Sequence, residues 1–268
     1  MNLRDKKLFL LDMDGTLYLD DTLFPGVKPF LALIRERQGR AMFLSNNSSR
    51  GIEDYLLKLK RLGIEATAED FLTSTDATID VLQREYPEAL VYVVGTESLK
   101  RQLSGAGISL TEEVNDKVDL LLVGYDRELN YRKLEDACRL LTRDVAYLAT
   151  NPDWVCPVSF GYVPDCGSIC EMLWHASGKK PRVIGKPQPH MVDLALARTG
   201  FSKAETLVIG DRLYTDIACG RNAGVDTAFV LSGEGKKEDI QSMDIHPSAV
   251  FRDIKAIWEA MMKEGVDG

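Results

Sequence analysis

The stretch Leu8–Thr16, LFLLDMDGT, joins four consecutive apolar residues to a compact group of polar ones. Four apolar residues in a row predict a short buried strand. Asp12 and Asp14 follow at its end, and on an extended backbone residues two apart project to the same side, about 6 to 7 Å from each other. Gly15 then permits a sharp exit from the strand. The stretch therefore predicts two carboxylates at the carboxyl end of a strand, with room for one phosphoryl group between them.

The rest of the chain repeats the alternation of apolar run and helical pattern. A helical pattern near Val27–Arg37 leads to a second apolar run, Ala41–Leu44, and the amphipathic segment Ile52–Leu62 ends at Gly63. Further strand-like runs lie at Phe71–Thr73, Leu90–Val94, Val118–Val123, Val145–Leu148, Leu207–Ile209 and Thr227–Leu231. Such alternation predicts an α/β fold with mainly parallel sheets.

Polar groups follow three of these predicted strands directly. They are Asp12–Thr16, Ser45–Ser48 and Gly210–Asp216. In parallel α/β sheets, ligands bind at the carboxyl ends of the strands. We therefore expect the chemistry of the protein to lie at these three strand ends.

The same groups match, in chain order, the motifs of one enzyme superfamily. Asp12–Thr16 matches its first motif, D-x-D-G-T, and Ser45 matches its second, a Ser or Thr that ends the second core strand. Lys186 in the sequence GKP matches the third motif, and Gly210–Asp211 with Asp216 matches the acidic fourth. The chain thus resembles the haloacid dehalogenase (HAD) superfamily over essentially its whole length.

Three features make the chain look like the NagD-like and p-nitrophenylphosphatase-like phosphatases of that superfamily. They are Ser45–Asn47 (SNN), the long insertion before Lys186, and Pro164–Ser168 (PDCGS). The chain departs from the subgroup at Ser45, where Thr is more usual, although the hydroxyl is kept. It also departs at Asp165–Cys166, where Gly-Thr is common, and this change concerns the choice of substrate.

The resemblance implies both the architecture and the reaction. We expect a Rossmann-like, doubly wound parallel-sheet core formed by residues 1–78 and 181–268, with an inserted α/β cap of the C2 type formed by residues 79–180. The implied activity is hydrolysis of phosphomonoesters of small metabolites through an aspartyl-phosphate. The expected partner is a small phosphorylated substrate, and a homodimer is one assembly state left open.

The expected cofactor is Mg²⁺. A carboxylate that attacks a phosphate dianion meets like-charge repulsion, and hard oxygen ligands such as Asp12 and Asp211 suit Mg²⁺. By resemblance, Asp12 is the nucleophile and also a metal ligand. Asp14 joins the metal shell through its backbone carbonyl, while its side chain protonates the leaving oxygen and later acts as base for water.

Four further residues are implied around the phosphoryl group. Lys186 and Ser45, with backbone N–H groups near Asn46, are expected to bind its equatorial oxygens, which carry the charge of a loose transition state. Asp216 is expected to orient Lys186 or a water on the metal. Taken one at a time, these residues also suit a solvated lysine, a loop and helix caps. The ordered combination favours catalysis.

The predicted cap contributes candidate substrate contacts at Asp165, Cys166, Asn151 and Asp153. Ser168–Glu171 (SICE) has the pattern of a capping box, which predicts a helix that begins after residues 165–167. A helix N-terminus favours anions, whereas Asp165 adds negative charge, so a neutral, hydroxyl-rich or cationic leaving group is expected. The alternative is that Asp165 only caps the helix.

Composition excludes several classes of function. The chain has 268 residues with 33 Lys and Arg against 41 Asp and Glu, a net charge of -8, which is the wrong sign for binding nucleic acid. Its apolar runs fall short of the roughly 18 residues that a membrane span needs, and no secretory signal is visible. Five cysteines, an odd number without a C-x-x-C pair, fit free thiols. We expect a cytoplasmic enzyme.

Two other functions stay open at this point. A phosphotransferase or phosphomutase would use the same motifs and differ only in what accepts the phosphoryl group. A receiver-like signalling module also combines acidic residues, a hydroxyl and a lysine around a phosphoaspartate, but such modules are single small domains. No P-loop, no dinucleotide-binding G-x-G-x-x-G, no H-E-x-x-H and no G-x-S-x-G sequence is present.

Overall fold

The computed structural model describes residues 1–158 and 160–264. The chain divides into two compact units, each with its own sheet. The first unit comprises Met1–Ser45, Tyr55–Leu72 and Lys186–Gly268, and the second comprises Asn46–Asp54 and Thr73–Gly185. The predicted cap, residues 79–180, lies within the second unit, and its exact bounds remain a prediction.

Short strands and helices alternate along most of the chain. The strands are β1 (Leu8–Leu11), β2 (Tyr18–Leu19), β3 (Thr22–Leu23), β4 (Arg40–Ser45), β5 (Phe71–Thr73), β6 (Val91–Val94), β7 (Leu110–Thr111), β8 (Leu120–Val123), β9 (Ala146–Ala149), β10 (Val155–Val158), β11 (Gly161–Pro164), β12 (Arg182–Val183), β13 (Thr206–Gly210), β14 (Asp226–Val230) and β15 (Ala249–Phe251). The α-helices are α1 (Val27–Glu36), α2 (Ile52–Arg61), α3 (Ser74–Glu85), α4 (Glu97–Gly105), α5 (Tyr131–Leu141), α6 (Cys166–Ser177), α7 (His190–Thr199), α8 (Ala218–Ala223), α9 (Asp239–Met243) and α10 (Ile254–Glu264).

The first unit is built on a six-stranded sheet in the order β15-β14-β13-β1-β4-β5. Strand β1 pairs in parallel with β4 on one side and with β13 on the other. All four residues of β1 are buried, because helices cover both faces of such a sheet. Strand order reverses between β1 and β13, and in open α/β sheets ligands bind at this switch point.

The second unit has a five-stranded sheet in the order β12-β9-β8-β6-β7, with parallel pairing throughout, and a separate antiparallel hairpin, β10-β11. Its core collects apolar residues of β6, β8 and β9 with those of α5 and α6, including Val94, Leu121, Leu140 and Leu173. The predicted α/β fold with parallel sheets is therefore present in both units.

One local prediction is wrong. Helix α6 begins at Cys166, and its N-cap is Asp165, whose side chain accepts a hydrogen bond from Cys166 N. Ser168 lies inside the first turn, and its hydroxyl donates to the carbonyl of Trp154. The predicted capping box at Ser168–Glu171 does not form because Asp165 caps the helix earlier in the chain. None of the helices in the described part of the chain is long and apolar enough to span a membrane.

Candidate active site

Strands β1 and β13 deliver their polar residues to the switch point of the first sheet. The two strands are in register, with Leu11 opposite Ile209, and Asp12 N continues the pairing by donating to the carbonyl of Ile209 at 2.9 Å. Asp211 follows the end of β13 directly. The pairing of the two strands therefore brings carboxylates 199 positions apart in sequence to one edge of the sheet.

Asp12, Asp211 and Asp216 form an acidic cluster, and the Lys186 ammonium pairs with two of its members. One carboxylate oxygen from each lies within 4.8 Å of the others, and among the described residues no other group of three His, Cys, Asp or Glu side chains meets that standard. The Lys186 Nζ atom donates to Asp12 at 2.8 Å and to Asp216 at 2.6 Å. Lys186 is 3% exposed, so this charge is held inside the protein.

Burial and mutual repulsion control the ionisation of the cluster. Burial, followed by the charges of Asp12 and Asp216, raises the pKa of Asp211 to about 8. The pKa of Asp216 is also raised, mainly by burial and by Asp12, with Lys186 opposing both effects. Burial lowers the pKa of Lys186, but Asp12 and Asp216 outweigh it and raise that pKa well above its usual value. Lys186 therefore stays protonated, and the raised pKa values of Asp211 and Asp216 mean that one lysine does not offset the mutual repulsion of three ionised carboxylates.

Asp211 is held closely by the surrounding loops. Its carboxylate accepts hydrogen bonds from Thr16 Oγ1 at 3.2 Å and from Glu234 N at 2.7 Å. Gly15 has a φ of +85°, and a Cβ atom there would lie 2.5 Å from Asp211 Oδ2; a Cβ atom at Gly233 would overlap the same carboxylate. Both glycines are required by the space that the Asp211 carboxylate occupies.

The cluster suits a divalent cation. Its donors are hard carboxylate oxygens, which Mg²⁺ prefers, and a bound cation would offset the mutual repulsion that raises the pKa of Asp211. Asp12 and Asp211 belong to the predicted set of metal ligands. Asp216 is predicted to orient Lys186 or a water on the metal, and one of its oxygens also belongs to the cluster. The Asp14 carboxylate is not part of the cluster.

Asp14 has partners of its own. Lys58 Nζ donates to Asp14 Oδ1 at 3.2 Å, and the Tyr18 hydroxyl donates to Asp14 Oδ2 at 3.5 Å. Lys58 Nζ also lies 4.0 Å from the centre of the Tyr18 ring, a cation–π arrangement. These contacts orient a carboxylate that is 51% exposed. Neither Lys58 nor Tyr18 belongs to a sequence motif, so neither could be selected from the sequence alone.

Ser45 ends β4, and its hydroxyl lies 2.9 Å from the hydroxyl of Tyr55 on α2. The Tyr55 ring stacks on Phe71, with ring centres 5.8 Å apart. An aromatic residue at an amphipathic helix position predicts core packing, so the polar role of Tyr55 could not be read from the sequence.

The other predicted site residues belong to the second unit. Asn46 and Asn151 both donate to Asp153 Oδ2, at 2.9 and 2.7 Å, and Asn151 also donates to Asp165 Oδ1 at 3.1 Å. Cys166 is fully buried, and its Sγ atom donates to the carbonyl of Val123, while burial raises the pKa of the thiol. The polar side chains of this group bind one another.

Comparison with known proteins now identifies the family. Residues 9–109 match the model of the haloacid dehalogenase-like hydrolases, and residues 183–257 match the related HAD-hydrolase-like model. The acid sugar phosphatase of Staphylococcus epidermidis is 32% identical over 246 residues, which cover 92% of this chain and 94% of that protein. The chain belongs to the haloacid dehalogenase-like hydrolase family.

Solved structures of related phosphatases resemble this chain over nearly its full length. The 4-nitrophenylphosphatase from Thermotoga maritima superposes with a TM-score of 0.91 at 37% identity, covering 97% of this chain and 98% of that one. NagD from Escherichia coli K-12 gives a TM-score of 0.85 at 32% identity, covering 93% and 97%. The predicted NagD-like group, the doubly wound fold with an inserted cap, and phosphatase as the class of enzyme are confirmed.

Proposed function

We propose that this HAD hydrolase is a Mg²⁺-dependent phosphomonoester hydrolase that acts on small phosphorylated metabolites through an aspartyl-phosphate at Asp12. The observation that carries the proposal is the acidic cluster of Asp12, Asp211 and Asp216, with Lys186 Nζ paired to Asp12 and Asp216. A nucleophilic carboxylate needs neighbouring positive charge to approach a phosphate dianion. The cluster supplies one fixed cation and the oxygen ligands for a second.

Asp12 and Asp211, with the backbone carbonyl of Asp14, are the groups that would hold the metal, and an Asp216 oxygen lies close to the Asp12 and Asp211 carboxylates. When bound there, Mg²⁺ supplies charge neutralisation to the phosphoryl oxygens and to the attacking carboxylate. The close packing around Asp211 by Gly15, Gly233 and the Glu234 N–H fixes the direction of its carboxylate. A fixed ligand costs no reorganisation on binding, which favours a defined metal position.

The reaction is proposed in two steps that share the same residues. An Asp12 oxygen attacks phosphorus and forms the aspartyl-phosphate, while the bond to the leaving oxygen breaks and Asp14 gives that oxygen a proton. Asp14 then takes a proton from water as the water oxygen attacks the phosphorus. Phosphate leaves, and the Asp12 carboxylate is restored.

The phosphoryl oxygens are proposed to bind Lys186 and the chain at Ser45 and Asn46. Lys186 is the stronger contributor, because its buried ammonium is permanently charged and held by two carboxylates. Asp216 is the positioning partner of Lys186, since its Oδ2 also accepts from Arg212 N at 3.1 Å and is thereby fixed.

The names of the relatives support small phosphate esters as substrates, since they include an acid sugar phosphatase and a 4-nitrophenylphosphatase. A second unit with its own sheet weighs against a receiver-like module, which is a single small domain. Phosphoryl transfer to an acceptor other than water would use the same residues, so the acceptor has to be measured.

The test is a count of free phosphate released per molecule of substrate consumed, over a panel of sugar, nucleotide and cofactor phosphates. We expect a ratio near one with Mg²⁺, no release with EDTA, and recovery when Mg²⁺ is restored. Asp12→Asn should be inactive and folded, because the amide is nearly the same shape but a poor nucleophile. Metal-independent release, or Asp12→Asn activity within about tenfold of wild type, would overturn the proposal, and a ratio well below one would indicate transfer.

A further inference from the structure

Five buried polar side chains of the second unit form one hydrogen-bonded series, here called the polar circuit: Asn46, Ser48, Thr150, Asn151 and Asp153. The Ser48 and Thr150 hydroxyls are 2.9 Å apart, and Thr150 Oγ1 is 2.8 Å from Asn151 Oδ1. Asn151 Nδ2 donates to Asp153 Oδ2 at 2.7 Å, and Asn46 Nδ2 donates to the same oxygen at 2.9 Å. The series therefore starts and ends on the segment that follows Ser45.

The direction of each hydrogen bond in the circuit is fixed by its chemistry. An amide oxygen only accepts, and Asn151 Oδ1 at 2.8 Å is a much closer acceptor for the single Thr150 hydroxyl proton than Cys166 Sγ at 3.9 Å, so Thr150 donates to Asn151. Thr150 must then accept from Ser48, and Ser48 in turn accepts from Tyr125 N at 2.9 Å. With its oxygen toward Thr150, Asn151 turns its amide nitrogen toward Asp153. The Ser48 and Thr150 hydroxyls thus each have one orientation that satisfies the polar circuit. Removal of either hydroxyl interrupts the circuit.

The backbone packs closely around the same residues. A Cβ atom at Gly185 would lie 2.6 Å from Asn46 Oδ1 and 2.5 Å from the Thr150 carbonyl, and one at Gly124 would lie 3.0 Å from Ser48 Oγ. Ser48, Thr150 and Asn151 are completely buried. In such a site an unmade hydrogen bond is costly, because water cannot replace the missing partner.

We propose that Ser48 and Thr150 are positioning residues for phosphate binding. They hold residues 46–48, and with them the peptide that joins Asn46 to Ser45, where the proposed function places contacts to the phosphoryl oxygens. This inference rests on that proposed function. Since the phosphoryl group is common to all substrates, Ser48 and Thr150 should influence every substrate alike, unlike a residue that contacts the leaving group.

The test uses Thr150→Val, which keeps the shape of the side chain but neither donates nor accepts. We expect kcat to fall by about 10- to 100-fold, the usual effect of a small displacement in a reacting site. The fall should be equal for p-nitrophenyl phosphate and glycerol phosphate, and inorganic phosphate, titrated by calorimetry, should bind more weakly. Thr150→Ser, which restores the hydroxyl, should recover most of the rate.

Thr206→Val is the matched control, because Thr206 is also fully buried and donates one hydrogen bond, to the Ser202 carbonyl, away from the circuit. It should lose stability without losing kcat. Ser48→Ala should reproduce the Thr150→Val effect, and the double variant should be no worse than either single one. Ser48→Ala also tests the positioning role if Thr150→Val does not fold.

A folded Thr150→Val or Ser48→Ala enzyme with wild-type kcat and phosphate affinity would overturn the positioning role. So would failure of Thr150→Ser to recover, which would assign the effect to packing, or an equal fall in Thr206→Val. Failure of the proposed function would be seen separately, as absence of phosphate release from the wild-type enzyme in the same assay.

Discussion

Asp14 meets two opposing demands in the proposed reaction, because it must give a proton in the first step and take one in the second. Its carboxylate is half exposed and is oriented by Lys58 and by the Tyr18 hydroxyl. Asp12 instead lies against Lys186 Nζ, with a carboxylate that is 18% exposed. Two aspartates separated by one residue thus have different surroundings, and their proposed roles follow from that difference.

The roles of Asp14 can be separated by the choice of leaving group. A sugar alkoxide is a strong base and needs the proton, whereas p-nitrophenolate leaves readily without it. Asp14→Asn should therefore slow aspartyl-phosphate formation more with an alkyl phosphate than with the aryl ester, by roughly 10²-fold if general acid catalysis has its usual size.

The measurement is a single-turnover burst of leaving group with both substrates, since steady-state rates also contain the impaired attack of water. Lys58→Met is a useful companion, because it removes the ion pair and leaves the Asp14 carboxyl in place. If Asp14→Asn slows both bursts equally, Asp14 is not the general acid.

At the scale of elements, helix α6 depends on its N-cap. Asp165 is 4% exposed, and Oδ1 accepts from both Cys166 N and Asn151 Nδ2. Asp165→Ala should lower the free energy of unfolding of the protein by about 1 to 2 kcal/mol, as for other caps. Asp165→Asn keeps an oxygen in place and should lose less.

Denaturant unfolding of the three proteins checks the expectation for α6. Equal midpoints for Asp165→Ala and wild type would contradict the capping role. Relative rates over the phosphate panel, measured on the same proteins, test the other prediction for Asp165, a contact to the leaving group. If the rates for all substrates change by the same factor, Asp165 has a structural role. If the order of preference among the substrates changes, Asp165 contributes to substrate specificity.

The elements that the sequence predicts well are those buried on all sides. Strands β1, β5, β6, β8 and β13 coincide with apolar runs, because a parallel strand covered on both faces is continuously hydrophobic. The short strands β7, β12 and β15, at the edges of the sheets, and the hairpin β10-β11 were missed. Their residues are half-exposed or exposed, so no run marks them.

The residues of the candidate site likewise differ in whether the sequence alone could predict them. Asp12 and Asp211 could be selected because they stand in motifs at the ends of β1 and β13, where strand register brings them together. Lys186 could be selected because it stands in the third motif of the resemblance. Lys58, Tyr55 and the Glu234 N–H could not, because their positions depend on how a helix and a loop pack against those strands. A motif identifies the strand ends, and tertiary packing alone gives the neighbours.

For the whole molecule, the acidic cluster links stability to pH and to metal. The pKa of Asp211 is about 8, above its ordinary value of 3.8, because it is buried beside Asp12 and Asp216. Between these two values the folded metal-free protein holds a proton that the unfolded chain has lost. The contribution of Asp211 to the stability of the metal-free protein is therefore fully present below the lower value and is lost as pH rises through the window.

Mg²⁺ must displace that proton, so its stabilising effect should grow with pH and level off above about pH 8. Thermal unfolding with and without Mg²⁺, from about pH 5 to about pH 9, measures both trends. Asp211→Asn is the control, since an amide does not titrate. Identical pH dependence of the metal-free wild type and Asp211→Asn would contradict this account.

The central claim, a covalent intermediate on Asp12, is tested most directly by trapping it. The enzyme is mixed with p-nitrophenyl phosphate and Mg²⁺, quenched in acid within a single turnover, digested and analysed by mass spectrometry. We expect the mass of one phosphoryl group on the peptide that contains Asp12, more of it in Asp14→Asn, where attack by water is slowed, and none in Asp12→Asn. Rapid release of phosphate with no phosphorylated peptide, or with the phosphoryl group on another residue, would contradict the account.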